Sequence, residues 1–202
     1  MRGAARSGPV AGVVLAAGSS SRLGTNKLLI EIAGEAVVRR VARHAIQAEL
    51  RPVIVVLGFE ADRVARALEG LDVTLALNPA HAGGMHSSLR TGIELVPHDR
   101  EGAVVILADM PLVTSAMVSE LVARFRRGSE PLVISRYGTV QAPPTLYARE
   151  LFPELAAADG MAGRRIVRDH RDEAAVVQWP AALLADLDSP EDVERMRSLV
   201  PE

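Results

Sequence analysis

Leu15-Ala16-Ala17-Gly18-Ser19-Ser20-Ser21-Arg22-Leu23-Gly24-Thr25-Asn26-Lys27 is the stretch that decides the fold. The apolar run Val13 to Ala17 reads as a buried strand. The chain then turns small and polar. Gly18 and Gly24 permit backbone angles and close approaches that side chains block. The serines add hydroxyls to the backbone N–H groups, and Arg22 and Lys27 bring two cations. Successive N–H groups with fixed cations make a cradle for a polyphosphate; an ordinary strand-to-helix loop with two solvated cations is the plainer alternative. Thr25, not Lys, follows Gly24, so the Walker pattern fails, and G-x-G-x-x-G is absent.

Working outward, strands and helices alternate. Strands are expected at Val10–Ala17, Val53–Leu57, Val73–Leu77, Ala103–Ala108 and Leu132–Ser135. Helices are expected at Glu35–Glu49, Ala61–Glu69, Ser87–Leu95 and Thr114–Arg127, each with an apolar stripe. Short connections between alternating elements argue for an α/β, mostly parallel, doubly wound sheet in three layers. The region Arg136–Arg171 is less regular and reads as an insertion that covers the sheet's open edge and shapes a second pocket. Ala175–Gln178 is expected to return as a late strand. Ser189-Pro190-Glu191-Asp192 carries a helix-start signature. Residues 1–9 are expected as a flexible tail and 10–202 as one domain, with a nucleotide half at about 10–135 and an acceptor side at about 136–175.

Composition bounds the rest. The chain has 202 residues, 49% of them hydrophobic and only 3% aromatic, so its core is aliphatic. A net charge of −2 gives no basic field for nucleic acid. With 0 cysteines there are no disulfides or thiolate metal sites. The N-terminus lacks an apolar signal core, and no run is long enough to span a bilayer; a soluble cytoplasmic protein is the expectation.

Three further segments carry chemistry. The run Val104 to Ala108 leads straight into Asp109, with Pro111 just after. A carboxylate at a strand end beside a phosphate loop suits Mg²⁺, which takes one or two carboxylates plus phosphate oxygens; an Asp capping a turn is the alternative. Asp186 and Asp188 flank Leu187 and point to one side of an extended segment, giving either a second metal contact or a solvated turn. Asn78-Pro79 and Gly83-Gly84-Met85-His86-Ser87-Ser88 form a second glycine loop at a helix start. Its N–H groups and hydroxyls would meet a base or ribose, or simply cap the helix. His81 and His86 have no evident acidic partner and read as surface or pocket-lining residues.

Taken together, these segments resemble the MobA-like nucleotidyltransferases, most closely their molybdenum cofactor cytidylyltransferase branch. The matching pieces are Leu15 to Gly24 with Lys27-Leu28-Leu29 and Gly34, Asn78-Pro79 with Gly84-Met85 and Ser88-Leu89, Asp109-Met110-Pro111, and Asp186 to Asp192. They occur in the family's order along nearly the whole chain. The resemblance implies a Rossmann-like nucleotidyltransferase fold, a nucleoside triphosphate and Mg²⁺. It implies Arg22 and Lys27 on the phosphates, Asp109 as metal ligand and Asp186 or Asp188 as the second. Leu15, Ala16, Ala17, Gly18, Ser19, Ser20, Gly24, Asn78, Gly84, Ser87 and Ser88 complete the expected nucleotide contacts. Ala16-Ala17-Gly18 looks like the cytidylyl branch, since guanylyl relatives tend to carry a second glycine where Ala17 stands; this favours CTP over GTP.

Two departures fall on the acceptor side. Ala142 stands before Pro143 where the family usually has glycine, and Asp159-Gly160-Met161-Ala162-Gly163-Arg164 rearranges a Gly-Asp-x-Gly-Ala-Arg loop. The expected reaction moves a cytidylyl group from CTP to the terminal phosphate of a molybdopterin-type cofactor, releasing pyrophosphate. A sugar or alditol phosphate acceptor is one alternative. A non-catalytic maturation factor for a molybdenum hydroxylase client is the other.

Overall fold

A computed structural model describes residues 6–18, 25–157, 162–185, 187 and 189–199. The chain opens with β1 (Val10–Ala16), buried along its whole length. A short hairpin follows, β2 (Glu31–Ile32) and β3 (Glu35–Ala36), and then α1 (Val37–Gln47). Next come β4 (Val53–Leu57), α2 (Ala61–Ala67), β5 (Thr74–Leu77), α3 (Met85–Glu94), β6 (Gly102–Leu107) and α4 (Ser115–Arg127). The second half holds β7 (Leu132–Tyr137), β8 (Val140–Ala148), α5 (Phe152–Ala157), α6 (Ala162–Asp169), β9 (Ala174–Trp179) and α7 (Pro190–Leu199).

Seven strands form one sheet in the order β5-β4-β1-β6-β8-β7-β9. The β1–β4, β1–β6, β4–β5 and β7–β9 pairings are parallel; β8 runs antiparallel to both β6 and β7. Side-chain alternation assigns the strands to two buried faces. Val10, Val14, Val55, Val104 and Ile106 pack with α1, α2 and α4, whereas Ala11, Val13, Val56 and Val105 pack with α3, α5 and α6. This is the expected three-layer, mostly parallel α/β architecture. A third, smaller cluster joins Ile32 and Val37 to Leu187, Val193 and Met196 of the C-terminal segment. Among the described residues no helix is long and apolar enough to cross a membrane.

Two expectations need correction. Residues 140–148 do not lie over the sheet's edge; they form β8, inside the sheet between β6 and β7. Pro143-Pro144 argues against a central strand because proline gives the ladder no N–H. The sheet accommodates the pair with a register shift between Ile134 and Arg136. Side chains then take the free carbonyls: Ser135 Oγ donates to Pro144 O (2.7 Å) and Tyr137 OH to Pro143 O (2.9 Å). Residues 6–9, expected in a flexible tail, are fastened down. Arg6 stacks 4.1 Å over the Phe125 ring and donates to Glu130 O (2.6 Å), and Pro9 O accepts from Glu101 N (3.0 Å).

β1 leads out to β4 and β5 on one side, while β6 lies on its other side. Connections from the carboxyl ends of β1 and β6 therefore diverge, opening the crevice where such sheets bind ligands.

Candidate active site

The loop after β1 begins with buried Ala17, whose carbonyl accepts from Phe59 N (3.3 Å). Gly58 ends β4 at a point of close contact. A Cβ there would lie 2.6 Å from His81 Cβ and 2.7 Å from Ala17 Cβ, so only glycine lets the loops after β1, β4 and β5 meet. Gly18 is exposed, with open space where a side chain would stand. Ser19, Ser20, Arg22 and Gly24 lie outside the described residues.

Asn26 and Lys27 re-enter the site together. Asn26 is buried, and its Oδ1 accepts from Leu28 N (3.1 Å), capping the 3-10 turn Lys27–Leu29. Leu28 anchors that turn in the core. Lys27 is thus launched from a fixed backbone, and its Nζ lies 2.6 Å from Asp109 Oδ2. Asp109 follows β6 in a turn held by buried Met110, whose N–H donates to Leu107 O (3.3 Å). The pair is largely shielded, with side-chain exposures of 17% for Lys27 and 23% for Asp109. The strand ends on either side of the switch point are thereby brought into contact, as the sequence order suggested. Nearby, hydrogen bonding from Arg63 (2.6 Å) holds the Glu60 carboxyl below its ordinary value. Asn26 and Glu60 were not anticipated: both are polar residues in polar loops, and no spacing distinguishes them.

The second glycine loop is locked internally. Asn78 is buried; its Nδ2 donates to Ser87 Oγ (2.9 Å) and Ser88 Oγ (3.0 Å), and its Oδ1 accepts from Ala80 N (2.9 Å). Ser87 Oγ in turn lies 2.9 Å from Gly84 O and 3.0 Å from Ala80 O. The side chains of Asn78, Ser87 and Ser88 therefore shape the loop and fasten it to α3. Gly84 caps α3 at φ +102°, a backbone angle that favours glycine, and leaves the first turn of α3 with no side-chain cap.

A cavity of about 500 Å³ opens at this end of the sheet. Leu15 of β1, Leu107 of β6 and Met110 beside Asp109 form one wall. Met85, His86 and Leu89 of α3 form the second. Gln141 to Pro143 of β8 and Arg164 of α6 form the third. Size and mostly apolar lining suit a small organic ligand. Ala142 and Pro143 thus share one cavity with the ends of β1 and β6. Tyr147 lies at its base, and burial pushes its phenol well above the ordinary range, so it stays neutral. Ala17 lies buried against Gly58, so its influence on a bound base would run through the placement of the loop.

Among the described residues no group of three His, Asp or Glu side chains converges on a metal position. Asp186 and Asp188 lie outside the described residues, while Leu187 between them is buried. Asp109 alone fits a cation carried in largely by phosphate oxygens, since Mg²⁺ needs only one or two protein carboxylates in such complexes.

The MobA-like NTP transferase domain family matches residues 12–175. A Natronomonas pharaonis protein named probable molybdenum cofactor guanylyltransferase is 30% identical over 197 residues, covering 92% of this chain and 96% of its own. The bifunctional protein GlmU of Mycolicibacterium vanbaalenii is 35% identical over 149 residues, 69% of this chain but only 30% of that longer protein. The crystal structure of Rv0371c from Mycobacterium tuberculosis H37Rv superposes with a TM-score of 0.83 at 26% identity, covering 95% of this chain and 98% of that one. The same protein has been solved in complex with manganese (TM-score 0.78, 27% identity, 95% and 100% covered).

Proposed function

From the premise that this chain belongs to the MobA-like NTP transferase family and is a nucleotidyltransferase, we propose that it moves a cytidylyl group from CTP to the terminal phosphate of Mo-molybdopterin, releasing pyrophosphate. The observation that carries this reading is the Lys27–Asp109 pair, a cation and a carboxylate 2.6 Å apart at the switch point, with Met110 next to Asp109 lining the cavity. Asp109 would hold Mg²⁺ against the triphosphate, with Asp186 or Asp188 as second ligand. The metal would supply charge neutralisation at the phosphate under attack.

The remaining work belongs to the chain's own residues. Lys27, released from Asp109 when the carboxylate takes up a cation, would stabilise charge on the departing pyrophosphate together with Arg22. Gly18, Ser19, Ser20 and Gly24 would offer N–H groups and hydroxyls to the phosphates. Gly84 would leave the first turn of α3 open to the nucleotide, with Asn78, Ser87 and Ser88 holding that turn in place. Leu15, Ala16 and Ala17 would set the depth of the loop. No general base is required. An attacking phosphate monoester has a second pKa of about 6 and is largely dianionic at neutral pH. Rate then comes from positioning and charge neutralisation.

GTP is the second reading for the donor, favoured by the name of the Natronomonas relative. Pyrophosphate release with Mg²⁺ and each of CTP, GTP, ATP and UTP, with and without Mo-molybdopterin, separates the readings. Release with CTP only when the pterin is present is expected. Release with GTP alone would replace the donor. CTP binding with no release under any pterin condition would discard the acceptor and redirect the search to sugar and alditol phosphates.

A further inference from the structure

A second hollow of about 560 Å³ adjoins the cavity and shares Gln141, Arg164 and Val167 with it. Among the described residues its lining holds four arginines, Arg136, Arg164, Arg168 and Arg171, and no carboxylate. These come from separate elements: Arg136 from β7, Arg164 and Arg168 from α6, and Arg171 from the turn before β9. Among the described residues Arg168 meets only its neighbour Asp169 (3.0 Å), in a pair whose side chains are 73% and 49% exposed. Among the described residues, Arg136, Arg164 and Arg171 have no acidic partner. The floor is firm, because Gly138 N donates to Trp179 O (3.1 Å) and Gln178 Nε2 donates to Gly138 O (2.6 Å), tying the β7–β8 turn to β9. Convergent like charges repel one another, and guanidinium forks match carboxylate and phosphate oxygens.

We propose that this arginine groove receives a second anionic group of the acceptor, remote from the phosphate that reacts. The inference rests on the nucleotidyl-transfer reading and narrows it. The acceptor class is a phosphate monoester that carries a carboxylate, phosphate or comparable anion at its far end. The shared wall of Gln141, Arg164 and Val167 joins the groove to the cavity that Met110, next to Asp109, lines.

The test is calorimetric binding of two matched probes at low ionic strength, where exposed charges are least screened. 6-Phosphogluconate and sorbitol 6-phosphate share a phosphate at one end and differ by a carboxylate at the other. Wild-type protein is expected to bind 6-phosphogluconate about 10-fold more tightly. The Arg168→Ala/Arg171→Ala double variant is expected to lose that preference while its CTP affinity stays unchanged. Both side chains are exposed, so the variant is expected to fold. Equal affinity for the two probes, binding of neither, or a preference that survives in the double variant would overturn the groove. Pyrophosphate release is read separately. A carboxylate preference without release under any condition removes the transfer reading and leaves the anion site, whereas release without the preference removes the groove alone.

Discussion

At the scale of single residues, the molecule is organised by close approaches as much as by charge. Gly92 sits in α3 where a Cβ would lie 2.4 Å from Val13 Cγ1 and 3.0 Å from Val56 Cγ2. Helix propensity favours alanine there by about 1 kcal/mol. Overpacking against two strand valines costs about 1–3 kcal/mol and should prevail. Gly92→Ala is therefore expected to lower the urea midpoint, and a raised midpoint would show that α3 can move off the sheet. No sequence pattern announces this glycine, because its need arises from strands distant along the chain. Lys27 and Asp109 were legible for the opposite reason: Asp109 ends an apolar run where the polarity changes abruptly, and Lys27 closes the polar loop that follows another. Asn78, Ser87 and Ser88 were legible as a cluster, but their bonding to one another follows from folding that brings Asn78 onto the start of α3.

At the scale of elements, caps and ion pairs set the boundaries. Thr114 Oγ1 accepts from Met117 N (3.3 Å) at the start of α4. Thr114→Ala should cost about 1 kcal/mol by urea denaturation; no change would show that the helix is held by its buried stripe alone. Ser189 and Asp192 realise the expected capping box: Ser189 Oγ accepts from Asp192 N (3.2 Å), and Ser189 N donates back to Asp192 Oδ2 (3.0 Å). Hydrogen bonds from Arg43 (2.9 and 2.8 Å), then its charge and that of Arg40, hold the Glu35 carboxyl below its ordinary value against burial. A depressed carboxylate contributes stability above the unfolded-state value of 4.5 and loses it as pH falls through the lower folded value. Wild type should therefore exceed Glu35→Gln in urea midpoint at pH 7, and the gap should close under acid. A gap constant between pH 7 and pH 3 would contradict the pairing. Glu35 also shows where periodicity misleads, because it was read as the start of a helix and instead begins β3, the second strand of a hairpin that precedes α1. β8 was missed because paired prolines ordinarily exclude a central strand, and the hydroxyls of Ser135 and Tyr137 that make it tolerable come from another strand.

At the scale of the whole molecule, the parallel strands β5, β4, β1 and β6 declared themselves as short apolar runs between helices, and they deliver their loops to one edge. The reversed strand β8 brings Ala142 and Pro143 to that same edge, into the cavity that Leu15 and Leu107 also line. Strands consecutive along the chain, β6, β7 and β8, thus lie in the sheet in the order β6-β8-β7. The central claim is that Lys27, paired with Asp109 across the switch point, serves the departing pyrophosphate. The most direct measurement is the single-turnover rate of pyrophosphate release with saturating CTP, Mg²⁺ and Mo-molybdopterin, in wild type and Lys27→Ala. A fall of about 10²-fold or more with retained CTP binding is expected. A rate near that of wild type would contradict the assignment of Lys27.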